Sequence, residues 1–323
     1  MAKLPRHLRP TPVTIRSRLV LEIAAELVSR NDQPNGQAKI LLRPQGGADW
    51  PLTLFGSSTV EGLYEVINGD SDLAIVNPSA LLTLAYAGNG SHFTEPLPVR
   101  PIAVFPSRDS CMFAVSSDTG LTHIEDIARQ KVPLKLSVRG QRDHWLHPTL
   151  DDIADAAGFS LDDLRSWGGE VRAEGHIPRP GGSKFEAMAR GEINAIFDES
   201  ITSWANDVSS AGMTILQMTE KTIAKLEAIG YRRDLIRKDQ FPTLPEDILT
   251  LDFSGWPIIV HETASNQLVS QICAGFESRK NLIPWQEEGP LPIERMCQNC
   301  PDTPIDVPLH PAAERFWKEQ GYI

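Results

Sequence analysis

Residues 65–79 read EVINGDSDLAIVNPS, and residues 187–200 read AMARGEINAIFDES. Each stretch closes a helix-like segment, places a glycine (Gly69, Gly191) before an acidic residue, and then gives a short apolar run ending in polar residues and a serine. Glycine suits the end of a helix, where the backbone turns to positive φ. The apolar run that follows is too hydrophobic to lie exposed. Two copies about 120 residues apart predict two similar α/β lobes.

Outward from these stretches the same grammar continues. Lys39–Arg43, Leu73–Val76, Ile102–Phe105, Met112–Val115, Leu134–Val138, Ala195–Phe197, Thr214–Leu216 and Pro257–Val260 read as strands. Helix-like segments fall between them: Ser58–Asn68 (capped by Ser58 or Thr59), Pro78–Ala87, Ile124–Gln130, Leu150–Gly158, Lys184–Ala189 and Ala264–Arg279. Such alternation predicts α/β units on largely parallel sheets. Open sheets of this kind hold ligands at the carboxyl ends of their strands. Here those ends are Asn77, Pro78 and Ser79 in one lobe and Asp198, Glu199 and Ser200 in the other, a cleft if the lobes face each other.

Composition narrows the partners. The chain has 323 residues with a formal charge of −11, which argues against a nucleic-acid or anionic-membrane surface as main partner. No apolar run reaches the roughly 18 residues of a membrane span. Leu19–Val28 is interrupted by Glu22 and Glu26, which a secretory core avoids, so it reads as an amphipathic helix and the protein as cytoplasmic. Cys111 and Cys273 lie in apolar runs. Cys297 and Cys300 form one CxxC, without the second pair that would mark a zinc site. No P-loop, GxSxG, HExxH or GxGxxG is present at a strand–helix junction, and GSK at 182–184 is too short for a phosphate loop, so no cofactor or metal is expected.

Polar chemistry concentrates in Arg139–His147, RGQRDHWLH, directly after a strand. Arg139 and Arg142 suit a carboxylate by paired charge-assisted hydrogen bonds; the alternative is a solvated loop in which Asp143 neutralises one arginine. His144 and His147, three apart, can share one helical face and move a proton. Asp198 and Glu199 either accept from a ligand or pair with those arginines. Ser107 and Arg108 follow a strand at the expected crossing between lobes. Trp145 and Trp204 flank the polar groups as stacking surfaces or core edges. His310 precedes Pro311 and is expected to cap the last helix.

GDSDLAIVNPSAL (69–81), SSDTGLTHIEDI (116–127), GEINAIFDES (191–200) and VPLHPAAERFWKEQG (307–321) together resemble a type II periplasmic-binding-protein fold. More narrowly, the Pro-Leu-His-Pro-x-Ala-x-Arg ending resembles the TAXI family of solute-binding subunits of TRAP transporters. The likeness runs from about residue 36 to the C-terminus. Three features depart from that family: an export signal is missing, a Gly-Gly-x-Tyr-Tyr-type loop is absent between Pro12 and Arg18, and SVRGQRDHW (137–145) replaces a Gly/Ser-rich ligand loop.

The resemblance implies a two-lobed α/β protein closing on a small organic acid. Lobe one would comprise residues 1–111 and 259–323, and lobe two 112–258, hinged near 110–116 and 256–261. Ligand contacts would come from Asn77, Ser79, Arg108, Arg139, Arg142, Asp198, Glu199 and Trp204. A transporter membrane subunit would be the partner only of an exported form. PIAVFPSRDSCMFAVSSDTGL (101–121) is also similar to 4,5-dihydroxyphthalate decarboxylases, cytoplasmic enzymes on this fold. That likeness implies a carboxy-lyase alternative, with His144, His147, Asp198 and Glu199 as acid/base candidates.

Overall fold

The structure, a computed structural model, describes residues 12–29, 37–43, 51–57 and 59–323. The chain through Ala38 and the chain from Lys39 onward form two separate units. The first contributes α1 (Pro12–Val28), which extends the helix expected at Leu19–Val28 by about two turns. Next come β1 (Ala38–Leu42), β2 (Leu52–Gly56), α2 (Glu61–Ile67), β3 (Leu73–Ile75), α3 (Ser79–Ala87) and β4 (Val99–Phe105). The middle of the chain adds β5 (Met112–Ser116), α4 (Glu125–Gln130), β6 (Lys135–Val138), α5 (Leu146–Ala157), α6 (Leu161–Ser166), β7 (Glu170–Ala173), α7 (Ser183–Ala189), β8 (Ala195–Asp198) and β9 (Met213–Ile215). The remainder is α8 (Glu220–Ile229), β10 (Arg233–Ile236), β11 (Ile248–Leu251), β12 (Trp256–His261), α9 (Asn266–Arg279), α10 (Ile293–Met296) and α11 (Pro311–Glu319).

Two five-stranded sheets result, in the orders β1-β2-β3-β12-β4 and β7-β6-β8-β5-β9, with a β10-β11 hairpin beside them. Neither is purely parallel. β12 runs antiparallel between β3 and β4, and β5 runs antiparallel between β8 and β9. Each of these strands arrives from a crossing between the sheets and so enters against the local direction. This exchange of one strand in each direction gives the chain from Lys39 onward a two-lobed, type II periplasmic-binding-protein-like α/β fold.

The repeated stretch explains the likeness of the two sheets in atomic detail. After α2, Gly69 (φ 76°) donates to Val66 O at 3.2 Å and Asp70 N to Glu65 O at 2.9 Å. After α7, Gly191 (φ 68°) donates to Met188 O and Glu192 N to Ala187 O, both at 3.0 Å. Both are the same glycine-terminated helix stop, and each delivers the chain into the strand beside the antiparallel entrant.

Helix α2 differs at its start from the sequence reading. It begins at Glu61 behind Val60, while Thr59 is held in a bridge to His144 and accepts from Glu61 N at 3.2 Å. Tertiary pairing thus overrides the local cap; Ser58 lies outside the described residues. At the other end of the chain, His310 caps α11 by accepting from Ala312 N at 3.2 Å, as expected.

One apolar cluster runs from Ala74 and Val76 through Phe93 to Phe113, Val138, Trp145 and Phe197, joining the inner faces of both sheets. A second lies on the far side of β5 and β8. A third packs α9, α10 and α11 on the first sheet, where Trp317 donates its indole N–H to Ile102 O at 2.8 Å. Among the described residues no helix is long and apolar enough to cross a membrane.

Candidate functional site

Strands β6 and β8 are parallel neighbours with Ser137 opposite Ile196, so two residues further along Arg139 comes beside Asp198. Arg139 Nε donates to Asp198 Oδ1 at 3.0 Å, and its Nη2 donates to both Asp198 and Glu199, the latter at 2.7 Å. Lys184, from the first turn of α7, donates Nζ to the other Asp198 oxygen at 2.7 Å. The expected pairing of Arg139 with Asp198 and Glu199 is therefore present, but along one sheet. Asp143 makes no ion pair among the described residues, so it is not the acid that neutralises Arg139.

Beneath Glu199 lies Asp109, from the β4–β5 crossing. It accepts from Ser200 N at 2.8 Å and Ile201 N at 3.2 Å, holding Ser200 in a left-handed turn (φ 59°). Burial and the charge of Glu199 push the Asp109 carboxyl well up. Burial also works to raise Glu199, but the hydrogen bond from Asp109 and the nearby guanidinium outweigh it and hold Glu199 low. Of this pair, Asp109 is thus the acid that holds its proton more tightly. Two cations, Arg139 and Lys184, face the Asp198 and Glu199 carboxylates, the pairing that buried charges require.

His144 connects this cluster to the surface. Its ring is 2% exposed and stacks on Phe253, with centroids 6.1 Å apart and planes at 11°. Nδ1 accepts from Leu146 N at 3.3 Å, which leaves Nε2 carrying the hydrogen, 3.9 Å from Glu199 Oε1. On the outer side His144 and Trp145 floor a cavity of about 260 Å³, rimmed by His92, Arg142, His147 and Asp151. His147 donates Nε2–H to Gln141 O at 2.9 Å. Because α5 starts at Leu146, only His147 is helical, so the two histidines meet at the cavity and not on one helical face.

The other expected residues are distributed differently. Asn77 and Ser79 follow β3, with Ser79 opening α3, and Ser79 N donates to Ser254 O at 3.0 Å. Their side-chain oxygens are buried without a partner among the described residues. Arg108 binds Asp252 and Ser254 Oγ, each at 3.0 Å, and also Asp234, clamping one crossing to the other. Ser107 is buried in the same crossing and accepts from Gly255 N at 2.9 Å. Trp204 is fully buried and donates its indole N–H to Glu199 O at 3.0 Å, so it fixes the Glu199 backbone and presents no face to the cavity. Lys184 and Asp109 were not among the expected site residues. GSK at 182–184 supplies the first, and the charged residue between two apolar strands was the available signal for the second.

No group of three potential ligands stands ready for a metal among the described residues. Cys297 is buried, and that burial pushes its thiol up, away from the reactive thiolate.

Burial lowers His144 to about 4, against an ordinary value near 6.5. Between those values the unfolded chain holds the extra proton, so stability is lost as pH falls from about 6.5 toward about 4. Asp252, raised to about 6 by burial, acts in the opposite sense over the lower part of that range. The difference between wild type and His144→Asn isolates the imidazole. Urea unfolding at pH 7 and pH 4.5 should show the variant gaining about 2–3 kcal/mol relative to wild type at the lower pH. Parallel pH profiles would contradict a buried neutral imidazole.

No family model matches the chain, and no curated protein does. The alkanesulfonate-binding protein SsuA from Xanthomonas axonopodis pv. citri, solved bound to MOPS, shares 14% identity over 68% of this chain and 59% of its own, with a TM-score of 0.32. A TctC solute-binding protein from Polaromonas shares 16% over 68% of each chain, with a TM-score of 0.34. The likeness is to solute-binding proteins. This chain spans less than two thirds of the first, and its fold class rests on its own strand order.

Proposed function

We propose that this chain binds a small organic carboxylate in the cavity at the start of α5, in the manner implied by its TAXI-like motifs. The observation that carries the reading is Arg142. It stands at a cavity floored by a neutral imidazole and makes no ion pair among the described residues, whereas Arg139 is committed to Asp198 and Glu199. Within the unit from Lys39 onward, lobe one is assigned to residues 39–111 and 259–323, and lobe two to 112–258. The crossings at Ser107–Ser110 and Asp252–Gly255 serve as the hinge, and closure is driven by contacts that both lobes make with the ligand. Losing a charge-assisted hydrogen bond costs about 1.5–3 kcal/mol, so Arg142→Ala should weaken carboxylate binding at least tenfold by isothermal titration calorimetry. Unchanged affinity in that variant would remove Arg142 as the anchor.

A second reading has its own observation. Asp109, Glu199 and His144 form a line of protonable groups that begins in the core and ends at the cavity. Such a line suits delivery of the proton that replaces a departing carboxyl group, as in a carboxy-lyase. One-dimensional proton NMR with a panel of aliphatic and aromatic acids separates the two. Line broadening without product supports binding, and a decarboxylated product supports the lyase.

A further inference from the structure

The cavity at the start of α5 holds more charge than a simple acid can satisfy. Arg142, Asp143 and Asp151, all exposed, line it, and among the described residues none of their side chains makes an ion pair or hydrogen bond. A carboxylate seated on Arg142 would neutralise the one cation and leave two acids facing a third. Asp151 and His147 stand four residues apart on the first turns of α5, and so share a helix face. His147 spends its Nε2–H on Gln141 O, so its Nδ1 is an acceptor in the neutral form. The cavity thus carries an acceptor set suited to a cation beside a donor set suited to an anion. A separate observation adds to the donor set. Trp145, in the cavity floor and 1% exposed, has an indole N–H with no acceptor among the described residues, and buried donors are rarely left that way.

We infer that the ligand is an amino-carboxylate, its ammonium held by Asp151 with His147 and its carboxylate by Arg142, and that Asp151 is the residue selecting for the amine. This rests on the carboxylate-binding reading above. It adds that an acid without an amine is admitted poorly, because it brings negative charge alone to a cavity already holding two carboxylates.

The test is calorimetric titration at pH 7 with matched probes: butyrate, 2-aminobutyrate and 4-aminobutyrate. At least one amino acid should bind the wild type tenfold or more tightly than butyrate. Asp151→Asn should move the two probe types in opposite directions, weakening the amino acid and strengthening butyrate, whereas Arg142→Gln should weaken both. Equal binding of butyrate and the amino acids would overturn the inference and leave the carboxylate reading standing. An amine preference that survives Asp151→Asn would overturn the role of Asp151. If neither probe type binds, while the variants and wild type show the same folded circular dichroism, the carboxylate reading fails and the inference fails with it.

Discussion

Asp198→Ala is expected to lower stability by about 3–5 kcal/mol, because it leaves uncompensated cations in the core. Asp198 is fully buried and holds Arg139 on one oxygen and Lys184 on the other, and those two side chains are only 9% and 4% exposed. Removing the carboxylate gives back the desolvation cost of one anion but leaves Lys184 unpaired in the core and Arg139 with one partner in place of two. Arg139 keeps Glu199, but Lys184 keeps nothing comparable within reach. Adding Lys184→Met to Asp198→Ala should therefore recover part of the loss, a non-additivity that only neighbours sharing one network show. Urea unfolding of the two single variants and the double at pH 7 measures it. A cost below about 1 kcal/mol for Asp198→Ala, or strict additivity, would mean that water solvates this cluster.

Gly255→Ala is the second large effect, and its cause is steric. Gly255 sits in the return crossing with φ 78°, and a Cβ there would lie 2.4 Å from Ser79 Oγ, 2.8 Å from Pro304 Cδ and 2.9 Å from Val104 Cγ1. The serine can rotate away; the proline ring and the valine methyl belong to packed elements. The left-handed backbone costs roughly 1–2 kcal/mol for a residue with a side chain, and forcing atoms into a packed site costs roughly 1–3 more. A loss of about 2–5 kcal/mol is expected. Gly120→Ala is the control: φ is 67°, but its Cβ would meet nothing within 4 Å, so only the backbone part should appear. Equal losses for the two substitutions by urea unfolding would show that the crossing yields more readily than its contacts suggest.

Much of this architecture was legible because the buried strands are short apolar runs bounded by glycine or polar residues. Leu73–Ile75, Ala195–Asp198 and Trp256–His261 all announced themselves this way. The elements that escaped notice are mostly polar. β7 (EVRA) and β10 (RDLI) lie at an edge or in a hairpin, where no buried face imposes alternation, and β2 (LTLFG) hides behind Pro51 and ends on a glycine. For the site, Arg139, His144, Asp198 and Glu199 could be picked out because each follows an apolar strand. Their pairing could be named only as one of two alternatives, since it depends on β6 and β8 becoming neighbours across 59 residues of sequence. Asp109 was harder still. Its role comes from accepting the backbone of Ser200 and Ile201, some 90 residues away, and such a role leaves no local pattern.

The antiparallel strand β12 also imposes an order on biosynthesis. The strands of the second sheet, 112–215, form an unbroken stretch of chain, whereas the first sheet needs β12 between β3 and β4. A ribosome that has just finished β4 at Phe105 must make roughly 150 more residues before His261 emerges, a delay of about 8–30 s at ordinary elongation rates. For that interval β3 and β4 have no common neighbour, and their facing edges stay open. The half of the molecule that is translated first is thus the half that is completed last.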